Sequence, residues 1–403
     1  MSKNINLKNN IDTSYFNKKL YKKDKVKLSK ILNSIYVTLD SKKNTFSSLS
    51  TKFNLNFKNS ELTKFNKYKS IILIGMGGSA LGVEAIYSFC KEKIKKKFIF
   101  FDNLDQLKIE KTKKKINLKN FIIIIISKSG NTLETLVNSN LFKDEINSKN
   151  TIIITEKKIN LLNTFAKKKR ILHINHKDYI GGRYSVLSEV GMIPAYFMGL
   201  KINYLRKNIR EYFRSKEKNL LLDNVVKLSH VYRYKKINSI ILLNYAPEVN
   251  EFLYWYQQLI AESLGKKGRG ILPVVSIAPR DHHSLLQLYL DGPKDKLFYI
   301  FSLKKNKKMK VRKNVFGKNF SYAENKDLSK AKEAQKNALI HVLKSKNIPY
   351  QEFVINKKNE ASLGKLFSYF IMETALIGML LGFDPFNQPA VEEVKILTKK
   401  YLS

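Results

Sequence analysis

The chain has 403 residues, 43% of them hydrophobic and 27% charged, with a formal net charge of +42. That length holds two or three domains, and no apolar run approaches the roughly eighteen residues of a bilayer span. The opening MSKNINLKNN lacks a signal-peptide apolar core, and Cys90 is alone, so no intrachain disulfide can form; a protein of the reducing cytoplasm, off the membrane, is expected.

The lysines are scattered along the whole chain. Their densest run, Lys304 to Lys313, has no interleaved aromatics and no helix-turn-helix, zinc-finger or RNP signature beside it. The charge is therefore read as a solvated surface that draws anions, with no specific nucleic-acid partner.

In chain order, residues 1–60 form a polar extension with one amphipathic helical stretch near 27–40. Short β-branched runs follow at 70–75, 97–102, 121–127, 151–155 and 171–175, with helical segments between several of them. After a helical stretch from about 186 to 230, a second set runs at 239–245, 271–277, 296–303 and 350–356. Long helices are expected at 249–264, 326–345, 361–382 and about 388–402. Near-continuous apolar strands alternating with helices predict parallel sheets covered on both faces. The fold class is α/β, with two doubly wound parallel-sheet units packed together between N-terminal and C-terminal helical segments. The expected boundaries are 1–60, 61–220, 221–365 and 366–403, the last segment's helices completing the active site.

The stretch IILIGMGGSALG (71–82) reads as strand, tight glycine turn and helix start, a geometry that lets backbone N–H groups approach an anion. A Walker A loop needs Lys-Ser/Thr after the last glycine, and Ala80-Leu81 stand there. A dinucleotide fingerprint, with Asp102 as its ribose acid, needs a glycine where Ala80 stands. The next loop, SKSGNTLET (127–135), supplies Ser127, Ser129 and Thr132 at a strand end just before a helix. One helix cap needs one hydroxyl; three, with a helix N-terminus, suit the several terminal oxygens of a phosphate monoester.

Four further stretches carry candidate chemistry. GGRYSVLSEVG places Arg183 after two glycines. WYQQLIAESLGKKGRG sets Gln258 and Glu262 four apart on one helix face, with Gly265 as its stop. PRDHHSLLQLYLDG offers Asp281 as a helix cap, with His283 near that N-terminus and Gln287 one turn on. DPFNQPAVEEVK opens a helix with Pro389 in its first turn, and Gln388 and Lys395, seven apart, share a face. Taken singly, each is an ordinary surface or packing residue. Together, beside a phosphate, they suit aldose–ketose isomerisation, in which one carboxylate moves a proton between C2 and C1. A guanidinium then steadies the enediolate, and an imidazole–lysine pair opens the sugar ring. The histidines form no metal-binding arrangement, so neither metal nor cofactor is expected.

The blocks GMGGSALG, SKSGNTLET, GGRYSVLS, QQLIAESLGK, HSLLQL and FNQPAVEEVK, in this order between about 70 and 397, resemble the phosphoglucose isomerase family, in its compact bacterial form. The resemblance implies tandem sugar-isomerase domains and reversible interconversion of glucose 6-phosphate and fructose 6-phosphate through a cis-enediol. By motif, Glu262 is the proton-shuttling base, Arg183 the enediolate stabiliser, and His283 and Lys395 the ring-opening pair, helped by Gln388. Gly78, Ser79, Ser127, Lys128, Ser129, Thr132 and Gln258 contact substrate or its phosphate. The resemblance also implies a cytoplasmic homodimer in which the histidine comes from the partner subunit. Asn387 stands where Asp is usual, and Leu264 where long forms carry Asn. The alternatives are a bifunctional phosphoglucose/phosphomannose isomerase, or a non-catalytic sugar-phosphate sensor that binds nucleic acid.

Overall fold

In the run Phe121–Ile126 all six side chains are buried, and they divide between two hydrophobic clusters. Ile122, Ile124 and Ile126 join one, and Phe121, Ile123 and Ile125 the other. A strand buried on both faces has no polar side to alternate with, hence the unbroken apolar run. The structure, a computed structural model, describes every residue except 1–3, 16, 116–119, 235, 305–308 and 313. Most of the basic run Lys304–Lys310 thus lies outside the described residues, as does Lys313.

The strands are β1 (Ile5–Asn9), β2 (Ser70–Gly75), β3 (Lys97–Phe101), β4 (Phe121–Ile126), β5 (Thr151–Thr155), β6 (Leu172–Asn175), β7 (Ser239–Asn244), β8 (Leu272–Ile277), β9 (Lys296–Leu303) and β10 (Tyr350–Ile355). They form two five-stranded sheets, ordered β3-β2-β4-β5-β6 and β1-β10-β9-β7-β8. All pairings are parallel except β1 with β10. The parallel strands of each sheet start inside it, at β2 and at β7, and wind outward both ways, so each has a reversal point, between β2 and β4 in one and between β7 and β9 in the other. Open α/β sheets take their ligands outside the strand ends at such a point.

The two units share a core. A single cluster runs from Ile71 and Leu73 of one sheet through Trp255 and Tyr256 to Leu242 and Tyr299 of the other. The helix Leu81–Cys90 lies against the helix Asn250–Leu264 across this junction. The helix Glu360–Leu381, though interrupted by Lys365 and Glu373, is long and apolar enough on average to span a bilayer, but 94% of its most apolar window is buried in the fold. Its function here is core packing.

Three expectations need correction. The N-terminal segment contributes a strand, β1, whose Ile5 and Leu7 enter the shared core while Asn9 bonds Asn224 at 2.7 Å. Two apolar residues in five, within a polar segment, are too few to read as a strand from sequence. The amphipathic helix is longer and begins earlier, spanning Lys18–Thr38. The helical stretch expected from 186 to 230 is broken: Glu189–Phe197 contains Pro194 and stops before Gly199, whose φ is +74°, and Ile202–Arg206 and Ser215–Tyr234 follow.

Candidate active site

The reversal point between β2 and β4 brings the glycine loop and the hydroxyl loop side by side. After β2 the chain turns through Gly77–Ser79 and enters the helix at Leu81. Gly77 has a φ of +51°, and a side chain there would strike the Gln258 amide at 2.6 Å. At Gly78 the constraint is closer still, since a Cβ would lie 2.3 Å from the Gly182 carbonyl carbon and 2.5 Å from the Arg183 nitrogen. The glycines therefore seat the first loop directly on the backbone that carries Arg183.

After β4, the Ser127 and Thr132 hydroxyls are 2.9 Å apart, and Ser129 lies 3.5 Å from Thr132. Thr132 occupies the cap position of the helix Leu133–Leu141, yet its side chain makes no capping bond. The plain helix-cap reading therefore fails, and three hydroxyls converge at an uncapped helix N-terminus, a ready anion site. Ser79 and Ser127 are both buried. Lys128 turns elsewhere: its ammonium donates to the Asp178 carbonyl at 2.6 Å and lies 3.7 Å from Glu156. Burial draws its pKa down.

Arg183, 2% exposed, is the hub. All five guanidinium hydrogens have acceptors. Nε donates to the Ser263 hydroxyl at 2.8 Å, and one terminal nitrogen to Glu262 at 3.1 Å and to Gln388 at 2.8 Å. The other terminal nitrogen donates to the carbonyls of Pro385 at 2.7 Å and Asn387 at 3.1 Å. The second Glu262 oxygen accepts from Gln258 at 2.8 Å, as their spacing on one helix face predicts. Residues 183, 258, 262 and 388 thus form one connected group. Beside it opens a cleft of about 600 Å³, lined by Glu84, Asp102, Glu251 and Tyr254 as well as by Gln258 and Glu262. Burial, then the neighbouring carboxylates of Asp102 and Glu251, push the Glu84 carboxyl up to about 7.

Two predicted residues stand apart from this group within one chain. His283 is exposed at the end of the short helical turn Arg280–His283. Lys395 pairs with Glu392 at 2.6 Å on the helix Ala390–Leu402, none of whose residues is buried. Gln388 precedes that helix rather than sharing a face with Lys395, because Pro389 takes the cap position. Asp281 is not a forward helix cap: its carboxylate turns back to the Ser276 hydroxyl at 3.0 Å and the Ile277 amide at 2.7 Å.

Sequence reasoning missed the residues that hold the hub. The Tyr184 hydroxyl lies 2.8 Å from Ser263 and donates to the Pro385 carbonyl at 3.3 Å. Burial pushes its phenol up to about 12, which keeps it a neutral donor. Lys266 binds the Asp384 carbonyl at 2.5 Å and Asn387 Oδ1 at 2.9 Å. Their adjacency to Arg183 and Glu262 in the motifs was the available signal. Asn387 thus serves as acceptor to both cations, while Leu264 belongs to the hydrophobic core.

Residues 52–403 match the family model described as phosphoglucose isomerase. The chain is similar to the glucose-6-phosphate isomerase of Methanocaldococcus jannaschii, 35% identical over 349 residues that cover 82% of this chain and 83% of that one. It is 31% identical to the glucose-6-phosphate isomerase of Campylobacter jejuni, over 83% of this chain and 86% of that one. In fold it resembles a solved hypothetical protein of Thermus thermophilus, with a TM-score of 0.85, 23% identity and coverage of 99% and 100%. A solved glucose-6-phosphate isomerase of Chlamydia trachomatis shares the fold at a TM-score of 0.70 and 18% identity, over 94% of this chain and 73% of that one.

Proposed function

The chain belongs to the phosphoglucose isomerase family, and from that membership we propose how the crevice between its two units interconverts glucose 6-phosphate and fructose 6-phosphate. The enzyme is an aldose–ketose isomerase, and the reaction moves two hydrogens without changing the substrate's formula. The convergence of Glu262 and Gln388 on the Arg183 guanidinium, with Gln258 bonded to the far oxygen of Glu262, carries the reading.

The substrate phosphate docks among Ser79, Ser127, Ser129 and Thr132 at the helix N-terminus. The open-chain sugar then extends toward Glu262. Its carboxylate takes the proton from C2, leaving a cis-enediolate, and returns that proton to C1 as the hydroxyl proton passes between O1 and O2. Arg183 meets the developing oxyanion with the terminal nitrogen now shared by Glu262 and Gln388, while its other N–H groups stay fixed by Ser263, Pro385 and Asn387. Gln258 orients the carboxylate.

Ring opening falls to groups that reach the crevice from outside. A second copy of the chain presents its exposed His283, and the acidic cleft beside Glu262 complements the basic segment Arg280–His283. The C-terminal helix exposes Val394, Ile396 and Leu402, apolar surface that a homodimer would cover as Lys395 approaches the substrate. This reading also makes the protein a cytoplasmic homodimer with a shared site.

The test is fructose 6-phosphate to glucose 6-phosphate turnover, coupled to a dehydrogenase, in wild type and Glu262→Gln. The variant keeps shape and phosphate loop but lacks the base, so kcat should fall by about two orders of magnitude or more while KM holds. Near-normal turnover would overturn the assignment. Mannose 6-phosphate, run in parallel, should not turn over.

A further inference from the structure

The second sheet repeats the winding of the first, with β7 between β8 and β9, so it has its own reversal point between β7 and β9. In the first unit the matching crevice holds the glycine and hydroxyl loops. In the second, the chain leaving β7 at Tyr245 and the end of β9 at Ser302 flank a cavity of about 320 Å³, room for a small metabolite. None of the residues assigned above to isomerisation lines it.

Its lining is basic and hydroxyl-bearing. Lys304, Lys332 and Lys336 face it with Ser302 and Ser329, and Glu333 is the one acid among the described lining residues. The helix Leu328–Ser345 begins at the cavity, and Ser329, Lys332 and Lys336, spaced three and four apart, share one face of it. Its positive N-terminal end adds to the field. The scattered lysines are read above as a solvated surface, but Lys336 is only 7% exposed, and ammonium groups are seldom buried without a partner. Lys336 holds Glu352 at 2.5 Å and reaches the Ser302 hydroxyl at 3.4 Å. Glu352 also carries Lys8 at 3.0 Å, so this single buried carboxylate is shared by two ammonium groups. Lys332 is braced on the Tyr245 carbonyl at 2.9 Å. At the end of β7, the buried Asn244 amide nitrogen has no hydrogen-bond partner.

We propose that this crevice is a second, non-catalytic anion site that takes a small phosphate-bearing metabolite. Its cations belong to the fold's reversal point, and its occupancy is separable from turnover.

Calorimetric titration of the whole enzyme with pyrophosphate, at physiological salt, tests it. Lys332→Gln should remove one equivalent per chain, or weaken it about ten-fold or more. Turnover, and the constant for any competitive inhibition by pyrophosphate, should not change. Lys330→Gln, on the same helix but outside the cavity lining, should bind as wild type does. Identical isotherms for wild type and Lys332→Gln overturn the proposal. Equal weakening by the two variants also overturns it, since that marks diffuse attraction to a chain of charge +42.

Discussion

Replacing Arg183 by Lys keeps the charge and removes the fork. The guanidinium satisfies five acceptors from one buried position: Ser263, Glu262, Gln388 and the carbonyls of Pro385 and Asn387. An ammonium has three hydrogens on a single atom, so at least two acceptors lose their donor. Glu262 is partly open to water and can be rehydrated, but the contacts to Ser263 and Pro385 are buried. The Tyr184 hydroxyl reaches both and keeps one of them partnered, so a single buried polar atom is left at a cost of roughly 1–3 kcal/mol, and Arg183→Lys should lose about that much stability, read from urea unfolding. Catalysis should suffer separately. Loss of a preorganised donor at a developing oxyanion costs about 10²–10³ in kcat, read from the coupled assay at saturating fructose 6-phosphate. Ser263→Ala is the control, since it removes one acceptor and leaves the terminal nitrogens in place. It should cost about 1 kcal/mol and less than about ten-fold in kcat. If Arg183→Lys keeps kcat within about five-fold of wild type, the guanidinium is not the oxyanion partner and its role is to hold the 385–388 segment.

Gly78→Ala drives a Cβ into the Gly182–Arg183 backbone, which cannot rotate away. A loss of about 1–3 kcal/mol with a clear fall in kcat is expected, checked by Tm and turnover, and a wild-type Tm would contradict the close approach. Lys266→Met frees the Asp384–Asn387 turn that leads into Gln388. A fall of about ten-fold in kcat is expected, with recovery in Lys266→Arg, whereas full activity in the Met variant would show the turn to be self-supporting. The fully buried Glu373 accepts from Tyr256 at 2.7 Å and Asn224 at 2.6 Å, and burial raises its carboxyl from 4.5 to about 7. A raised carboxyl binds its proton more tightly in the folded state, so its contribution is complete below about pH 4.5 and is lost as pH rises to 7. Urea unfolding at pH 5 and pH 8 should show that decline shrinking by about 3 kcal/mol in Glu373→Gln, and an unchanged decline would place the linkage elsewhere.

What the sequence disclosed, and what it hid, follows from the physics of each element. β4 and β7 were legible because both faces are buried and the residue type alone reports it. β1 was not, because its place is set by pairing with β10, some 340 residues away, rather than by its own composition. At the site, the side chains proposed for the reaction were picked out by type, a carboxylate, a guanidinium and clustered hydroxyls, and the fold brings Glu262 to Arg183 and Ser127 to Thr132. Ser263, Tyr184 and Lys266 were missed because nothing in a serine, tyrosine or lysine marks it as a brace. That role exists only once the 384–388 turn meets the end of the helix Asn250–Leu264.

The same distinction separates Gln388 from Lys395. Both sit in one motif, seven residues apart, and a helical reading puts them on one face. Pro389 begins the helix after Gln388, leaving that glutamine in the turn, where Arg183 and Lys266 clamp its neighbours' carbonyls and side chain. Lys395, one helix further on, inherits none of those contacts and pairs with Glu392 in solvent. A surface pair of this kind is worth about 0.2–1 kcal/mol, far less than a substrate phosphosugar or an apolar partner surface can offer. The turn before the helix, in contrast, is bonded to the body by both Arg183 and Lys266. The ring-opening role proposed for Lys395 therefore has to be filled from this exposed helix while Gln388 stays bonded to Arg183 at 2.8 Å, so Lys395→Ala should lower turnover of the cyclic substrate more than that of an open-chain sugar phosphate, and an equal loss on both would refute the role.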